Sequence, residues 1–216
     1  ITAPELATIG EGAFNEVTSI RSFTFGDKLA KVESFAFLGC SKLATFNYTK
    51  DGKTATDGAI NDYAKLVDGV LYTRLANGSW QLTAVPAAKN IETLVVAEGT
   101  RRVDAYAGNK NTNVTTIELP VSMRNIGQYA FYGYTSLHTV VFRSIEAPAL
   151  DDAYNSNAKL VEGDPGYEMW NKYFNMFGYY LYYYNFVDLV GKVELMTMVV
   201  PANSGTKGYD ALPYRM

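Results

Sequence analysis

One cysteine, Cys40, and one histidine, His138, stand in a chain of 216 residues. A single thiol excludes an internal disulfide and a thiolate zinc site. A single imidazole excludes multi-histidine metal centres and leaves one candidate base for a Ser-His or Cys-His arrangement. No run approaches about 18 uncharged apolar residues, so no membrane-spanning helix is expected. There is no basic stripe: the net charge is −3, the pI is about 5.3, and Arg101-Arg102 is a pair rather than a patch. A nucleic-acid partner is therefore not expected. No G-x-G-x-x-G or Walker pattern supports nucleotide binding. The chain begins at Ile1 with no basic and apolar leader, and a processed chain whose signal peptide has been removed is the simplest reading.

What is present is apolar and periodic. Hydrophobic residues make up 48% and charged residues 19%, which suits a packed core and not a disordered chain. A spacing of apolar residues at positions 1, 4 and 6 recurs as Ile20, Phe23, Phe25 and as Leu43, Phe46, Tyr48. It returns as Ile91, Leu94, Val96, then Val114, Ile117, Leu119, then Leu137, Val140, Phe142, and last as Leu195, Met198, Val200. Successive members are mostly 23 residues apart. Seven residues after the last apolar position stands a β-branched residue: Val32, Val103, Ile126, with Ile9 in the same place of an incomplete first unit. Ala-aromatic follows: Ala13-Phe14, Ala36-Phe37, Ala130-Phe131, with Ala107-Gly108 where the aromatic is lost. Each unit is one short strand and one turn or short helix. Neither buries its apolar face alone, so units must stack as a solenoid with a parallel sheet.

The frames "IGEGAFNEVTSIRSFTF", "VESFAFLGCSKLATF" and "IGQYAFYGYTSLHTVVF" resemble the leucine-rich repeats of the BspA-like surface-protein family. The resemblance covers about residues 1–153 and 195–216, and "MVVPANSGTKGY" resembles the usual end of such arrays. It implies a bacterial secreted or cell-surface protein, without catalysis, that binds host or neighbouring-cell proteins. It carries over no functional residue. The predicted fold is an α/β repeat, β-rich: one leucine-rich-repeat solenoid over 1–216 with about six units, short parallel strands on one side, and turns and short helical pieces on the other.

Two interruptions are expected. Leu43 and Ile91 lie 48 residues apart, two periods plus two, and an insertion at about 49–90 takes the place of the middle strand. Ala76-Asn77-Gly78-Ser79 between Val70-Leu71-Tyr72 and Trp80-Gln81-Leu82-Thr83 signals a β-hairpin within 66–86, beside or within the sheet. The second insertion, at about 161–194, precedes a C-terminal cap at 195–216. Its core, 167–186, holds eleven aromatics, and a short helix near 167–177 followed by a strand near 179–187 is predicted.

Two candidate ligand surfaces follow. On the open sheet face, Ser22, Thr45, Thr93, Thr116, Thr139 and Thr197 form one column, and Thr24, Asn47, Val95, Glu118, Val141 and Val199 the next. Thr93, Thr116, Glu118 and Thr139 are its candidate binding residues. The same column also reads as a plain threonine ladder, since threonine suits strands. In the aromatic insertion, Tyr167, Trp170, Tyr173, Tyr179, Tyr180, Tyr182 and Tyr184 are either a binding platform or a cap over the end of the core. His138 has no partner in frame and reads as a strand-edge residue. Cys40 shares its frame position with Val17 and Tyr134 and reads as a buried hydrophobe. Asp151-Asp152 and Glu162-x-Asp164 do not match an EF-hand, and acidic loop pairs are usually solvated. No cofactor or metal is expected. The expected function is noncatalytic binding of a protein partner, with a glycan, or a structural role within a longer surface protein, as alternatives.

Overall fold

A computed structural model of the chain describes residues 1–127, 129–144, 148–150 and 197–199. In chain order its strands are β1 (Thr2–Ala3), β2 (Thr8–Ile9), β3 (Ser22–Gly26), β4 (Lys31–Val32), β5 (Thr45–Lys50), β6 (Lys53–Ala55), β7 (Gly58–Ala59), β8 (Ala64–Val67) and β9 (Val70–Arg74). There follow β10 (Trp80–Ala84), β11 (Thr93–Val95), β12 (Thr100–Val103), β13 (Thr116–Leu119), β14 (Asn125–Ile126), β15 (Thr139–Phe142), β16 (Ala149–Leu150) and β17 (Thr197–Val199).

Each turn of the solenoid supplies one strand to a main ladder and one to a second ladder. The main ladder is parallel, in two parts: β1-β3-β5 and β11-β13-β15-β17. Its register follows the sequence period, with Phe23 opposite Phe46 and Leu94, Ile117, Val140 and Met198 in one row. Alternate residues point to opposite faces, so Phe23, Phe46, Leu94, Ile117 and Val140 are buried while Thr93 and Val95 are exposed. The β-branched signal marks the second ladder: Ile9 pairs with Val32 in β2-β4, and Val103 with Ile126 in β12-β14.

The wall opposite the main ladder contains no helix among the described residues, where short helical pieces were expected. The residue before each Ala-aromatic pair has a left-handed backbone: Gly12 (φ 61°), Phe35 (φ 47°), Tyr106 (φ 55°) and Tyr129 (φ 53°). One such residue per unit breaks an α-helix before it can nucleate. The wall closes instead through four-residue turns, with the N–H groups of Ala13, Asn15 and Val17 donating to the carbonyls of Gly10, Gly12 and Phe14.

In the first half, Phe14, Phe23, Phe25, Phe37 and Phe46 pack ring to ring at centroid distances of 4.9–6.2 Å. Aromatic pairs at such separations add about 0.5–1.5 kcal/mol each beyond their burial. A small layer divides this core from the next. Strands β7, β8, β9 and β10 form an antiparallel meander, and its alternation serves both sides. Leu66, Leu71 and Ala84 pack into the phenylalanine cluster, while Val70, Tyr72 and Leu82 pack into the cluster of Leu94, Ile117, Phe131 and Val140.

The β9–β10 turn is the Asn-Gly site. Gly78 has φ 78°, its N–H donates to the Leu75 carbonyl at 2.8 Å, and Asn77 Oδ1 accepts the N–H of Ser79 at 3.0 Å. Strand β10 does not take a main-ladder place. It pairs in parallel with β12, Leu82 opposite Val103, and so stands in the second ladder. The Val85 N–H then donates to the Ala107 carbonyl, as Phe14 N–H does to Ala36. The unit opened by β5 is thus closed by β10, after an excursion through β6 to β9. The helix and strand expected near 167–187, and the cap expected at 195–216 apart from Thr197–Val199, lie outside the described residues.

Candidate functional site

The open face of the main ladder carries the first candidate set. Pairing places Ser22 beside Thr45, and Thr93, Thr116, Thr139 and Thr197 in one row. Thr93 is exposed and Thr116 and Thr139 are half-buried. The neighbouring row is Val95, Glu118, Val141 and Val199. Val95 and Val199 are 56% and 45% exposed, well beyond what an apolar strand residue needs when only its core face is covered. The Glu118 carboxylate accepts a hydrogen bond from the Arg143 guanidinium one turn away, at an exposed position. The structure thus brings Thr93, Thr116, Glu118 and Thr139 together on one surface with two bare valines and one ion pair. Such a surface can exclude water from a partner and orient it by polar contacts at its rim.

Among the described residues, the single histidine and the single cysteine are placed as follows. His138 Nδ1 lies 3.0 Å from Thr139 Oγ1 at an exposed position. Cys40 is fully buried, its Sγ donates to the Phe14 carbonyl at 3.0 Å, and burial pushes its thiol pKa up. Among the described residues no three His, Cys, Asp or Glu side chains gather as metal ligands. The acidic pairs at 151–152 and 162–164 lie outside those residues. So do Tyr167, Trp170, Tyr173, Tyr179, Tyr180, Tyr182 and Tyr184. Among the described residues no helix is long and apolar enough to cross a membrane.

The corner opposite carries a row of rings that the Ala-aromatic signal missed. Phe35 meets Tyr106 edge-on at 5.8 Å, and Tyr106 stacks on Tyr129 at 5.1 Å with planes 27° apart. Tyr132 joins them edge-on, under the Lys110 ammonium. The legible signal was the residue one place before the alanine, aromatic in "SFAF", "DAYAG" and "QYAF". Left-handed backbone at bulky residues is costly and needs compensation; the stacked row supplies it. Tyr106 and Tyr129 each turn one face to the other, and both are half-buried.

The second half of the meander carries a cationic cluster. The Lys65 ammonium and the Arg74 guanidinium each lie 4.4 Å from the Trp80 ring centre. Burial, and then the nearby Arg74 charge, pushes the Lys65 pKa down.

One family model and one solved structure agree with this geometry. Six copies of the BspA type leucine-rich repeat region match residues 1–77 and 86–162. A leucine rich cell surface protein from Faecalibacterium prausnitzii is similar in fold, with a TM-score of 0.51 at 20% identity over 68% of this chain and 43% of that one. A leucine-rich repeat protein from Eubacterium ventriosum aligns at TM-score 0.45 and 15% identity, over 61% of this chain and 39% of that one. The pneumococcal vaccine antigen PcpA aligns at 0.41 and 17%, over 64% and 42%. The chain therefore spans less than half the length of each of these structures. A search of curated proteins returned no match. With the repeat matched over most of its length and the stacked parallel ladders in register with it, the chain belongs to the BspA-type leucine-rich repeat family.

Proposed function

We propose that the chain is a noncatalytic binding protein of a bacterial surface, or secreted, and that it holds a protein partner on the open face of the main ladder. The observation that carries this reading is the row of Val95 and Val199 exposed beside Thr93, Thr116 and Thr139. Solenoids present extended surfaces of this kind, and leucine-rich repeats generally serve as binding scaffolds. The cell-surface description of the Faecalibacterium protein supports the location proposed here.

The test is to expose the immobilised chain to an array of extracellular-matrix proteins and polysaccharides. One or a few proteins retained specifically is the expected result. Retention of polysaccharides alone would favour the glycan reading, and a chain with 161–194 replaced by a linker, once shown to be folded, would place that ligand on or off the aromatic segment. Retention of nothing would overturn the proposal.

A further inference from the structure

The main ladder has one break, between β5 and β11, and the break is open. Ala44 and Thr45 on one side and Ile91, Thr93, Leu94 and Val95 on the other line a cavity of about 520 Å³. Its remaining wall is the Asp68-Gly69 turn of the meander with Thr56, Asp57 and Lys89. The side of β11 that faces the cavity is unpaired, because β11 pairs only with β13 among the described residues. The carbonyl of Glu92 accepts from Thr116 N–H, and Val96 N–H donates to the Glu118 carbonyl. Alternation along the strand assigns Leu94 to the same neighbour. The N–H and C=O groups of Thr93 and Val95 are left directed at the cavity. An exposed strand edge with a bare valine beside it is a template for another strand, and folded proteins usually cover or blunt such an edge. Beside this edge Val95 is 56% exposed. Of the charged side chains at the cavity, two are carboxylates, Asp57 and Asp68, and one is an ammonium, Lys89.

We propose that this break is a strand-acceptor slot: an extended segment of a partner protein, carrying lysine or arginine, pairs its main chain with the free edge of β11 and sets its basic side chain against Asp57 and Asp68. The edge is three residues long, about 10 Å of strand, so main-chain pairing supplies a short anchor and the side chains supply the selectivity. The inference rests on the protein-binding reading above and adds where the partner enters and in what conformation.

The probe is a fluorescent, capped heptapeptide, Lys-Val-Thr-Val-Thr-Val-Lys, titrated by anisotropy into the whole chain. The reference peptide carries glutamate in place of both lysines. Val95→Pro removes an N–H aimed at the slot and none aimed at β13, a place where a strand tolerates proline. Asp57→Asn/Asp68→Asn removes the two charges at exposed positions and keeps an acceptor for the Asp68 N–H, which Asp57 Oδ1 holds at 3.0 Å. The expected result is saturable binding of the basic peptide, weakened about tenfold or more by either variant, with the glutamate peptide weaker still. No saturable binding by about 1 mM peptide overturns the slot. Equal binding by the wild type and the Asn variant also overturns it, and that variant serves if the proline unfolds the strand. Failure here leaves the protein-binding reading standing, because that is read on the array of matrix proteins. Failure on the array leaves this titration intact.

Discussion

Gly108 leaves the space that the ring of Tyr134 fills: a methyl group on Gly108 would lie 2.6 Å from Tyr134 Cε1 and 2.9 Å from the Ala130 carbonyl oxygen. In the frame of the repeat, Gly108 stands where Phe14, Phe37 and Phe131 stand, and Tyr134 stands where Val17 and Cys40 stand. One unit has lost its aromatic, and the next has gained one that reaches back into the gap. Gly108→Ala is expected to cost about 2 kcal/mol by overpacking, and Tyr134→Cys about 3 kcal/mol by opening a cavity. Together they should cost about 1 kcal/mol less than the sum, the recovery being partial because the Ala130 carbonyl stays in place. Urea unfolding of the four proteins measures this; strict additivity contradicts the pairing.

Burial pushes the phenol pKa values of Tyr72 and Tyr134 well above the ordinary value near 10. The sign follows from proton counting. Above pH 10 the unfolded chain releases these protons while the folded chain keeps them, so stability is complete below that pH and falls as pH rises past it. Each phenol contributes a slope of about 1.4 kcal/mol per pH unit. Among the described residues the Tyr134 hydroxyl has no hydrogen-bond partner, whereas the Tyr72 oxygen accepts from Ala97 N–H at 3.1 Å. Tyr134→Phe should therefore leave stability at pH 7 unchanged or raised and make the alkaline slope shallower. Urea midpoints from pH 8 to pH 11 read both, and an unchanged slope in the variant contradicts the assignment.

Asn111 occupies the same frame position as Tyr134 and Cys40 but does a different job. Its Nδ2 donates to the carbonyls of Pro86 and Lys89 at 3.1 and 3.0 Å, and its Oδ1 accepts from the N–H groups of Asn113 and Val114 at 2.8 and 3.2 Å. It ties the chain leaving the meander to the next unit from a fully buried position. Asn111→Leu strands the N–H groups of Asn113 and Val114 and takes one bond from each of the Pro86 and Lys89 carbonyls, which keep the N–H groups of Lys89 and Ile91; it should cost about 3 kcal/mol, read as a fall in the urea midpoint. A change within about 0.5 kcal/mol, the size usual for a surface substitution, would mean that the tie is dispensable.

Cys40 tests the core of the first half. Buried, bonded to the Phe14 carbonyl and with its thiol pKa raised by desolvation, it should react with Ellman's reagent at pH 8 at under about 1% of its rate in the unfolded chain. Rapid reaction in the native protein would mean that the phenylalanine cluster opens readily.

The repeat made the main ladder legible because a parallel stack repeats its register at the sequence period: Thr93, Thr116 and Thr139 are neighbours for the reason that they are 23 apart. The hairpin was legible from Asn77-Gly78, a turn that needs a positive φ. What the spacing between Leu43 and Ile91 could not say is which ladder the extra chain joins. That depends on Leu82 meeting Val103, a pairing between strands that share no period. The split ladder, and with it the slot beside β11, follows from that pairing. The helical pieces were misread because an aromatic at Phe35, Tyr106 or Tyr129 does not announce a left-handed backbone; only the rings stacked beside it make that conformation tolerable.

The most direct test of the proposed function is the double variant Thr116→Lys/Thr139→Lys on the same array of matrix proteins. Both residues are half-buried on the open face and neither reaches the core clusters, so the variant is expected to melt with the wild type. Two ammonium groups between the exposed valines should weaken the retained protein by about tenfold or more, by the cost of burying unpaired charge at an interface. Retention equal to that of the wild type would contradict binding on this face.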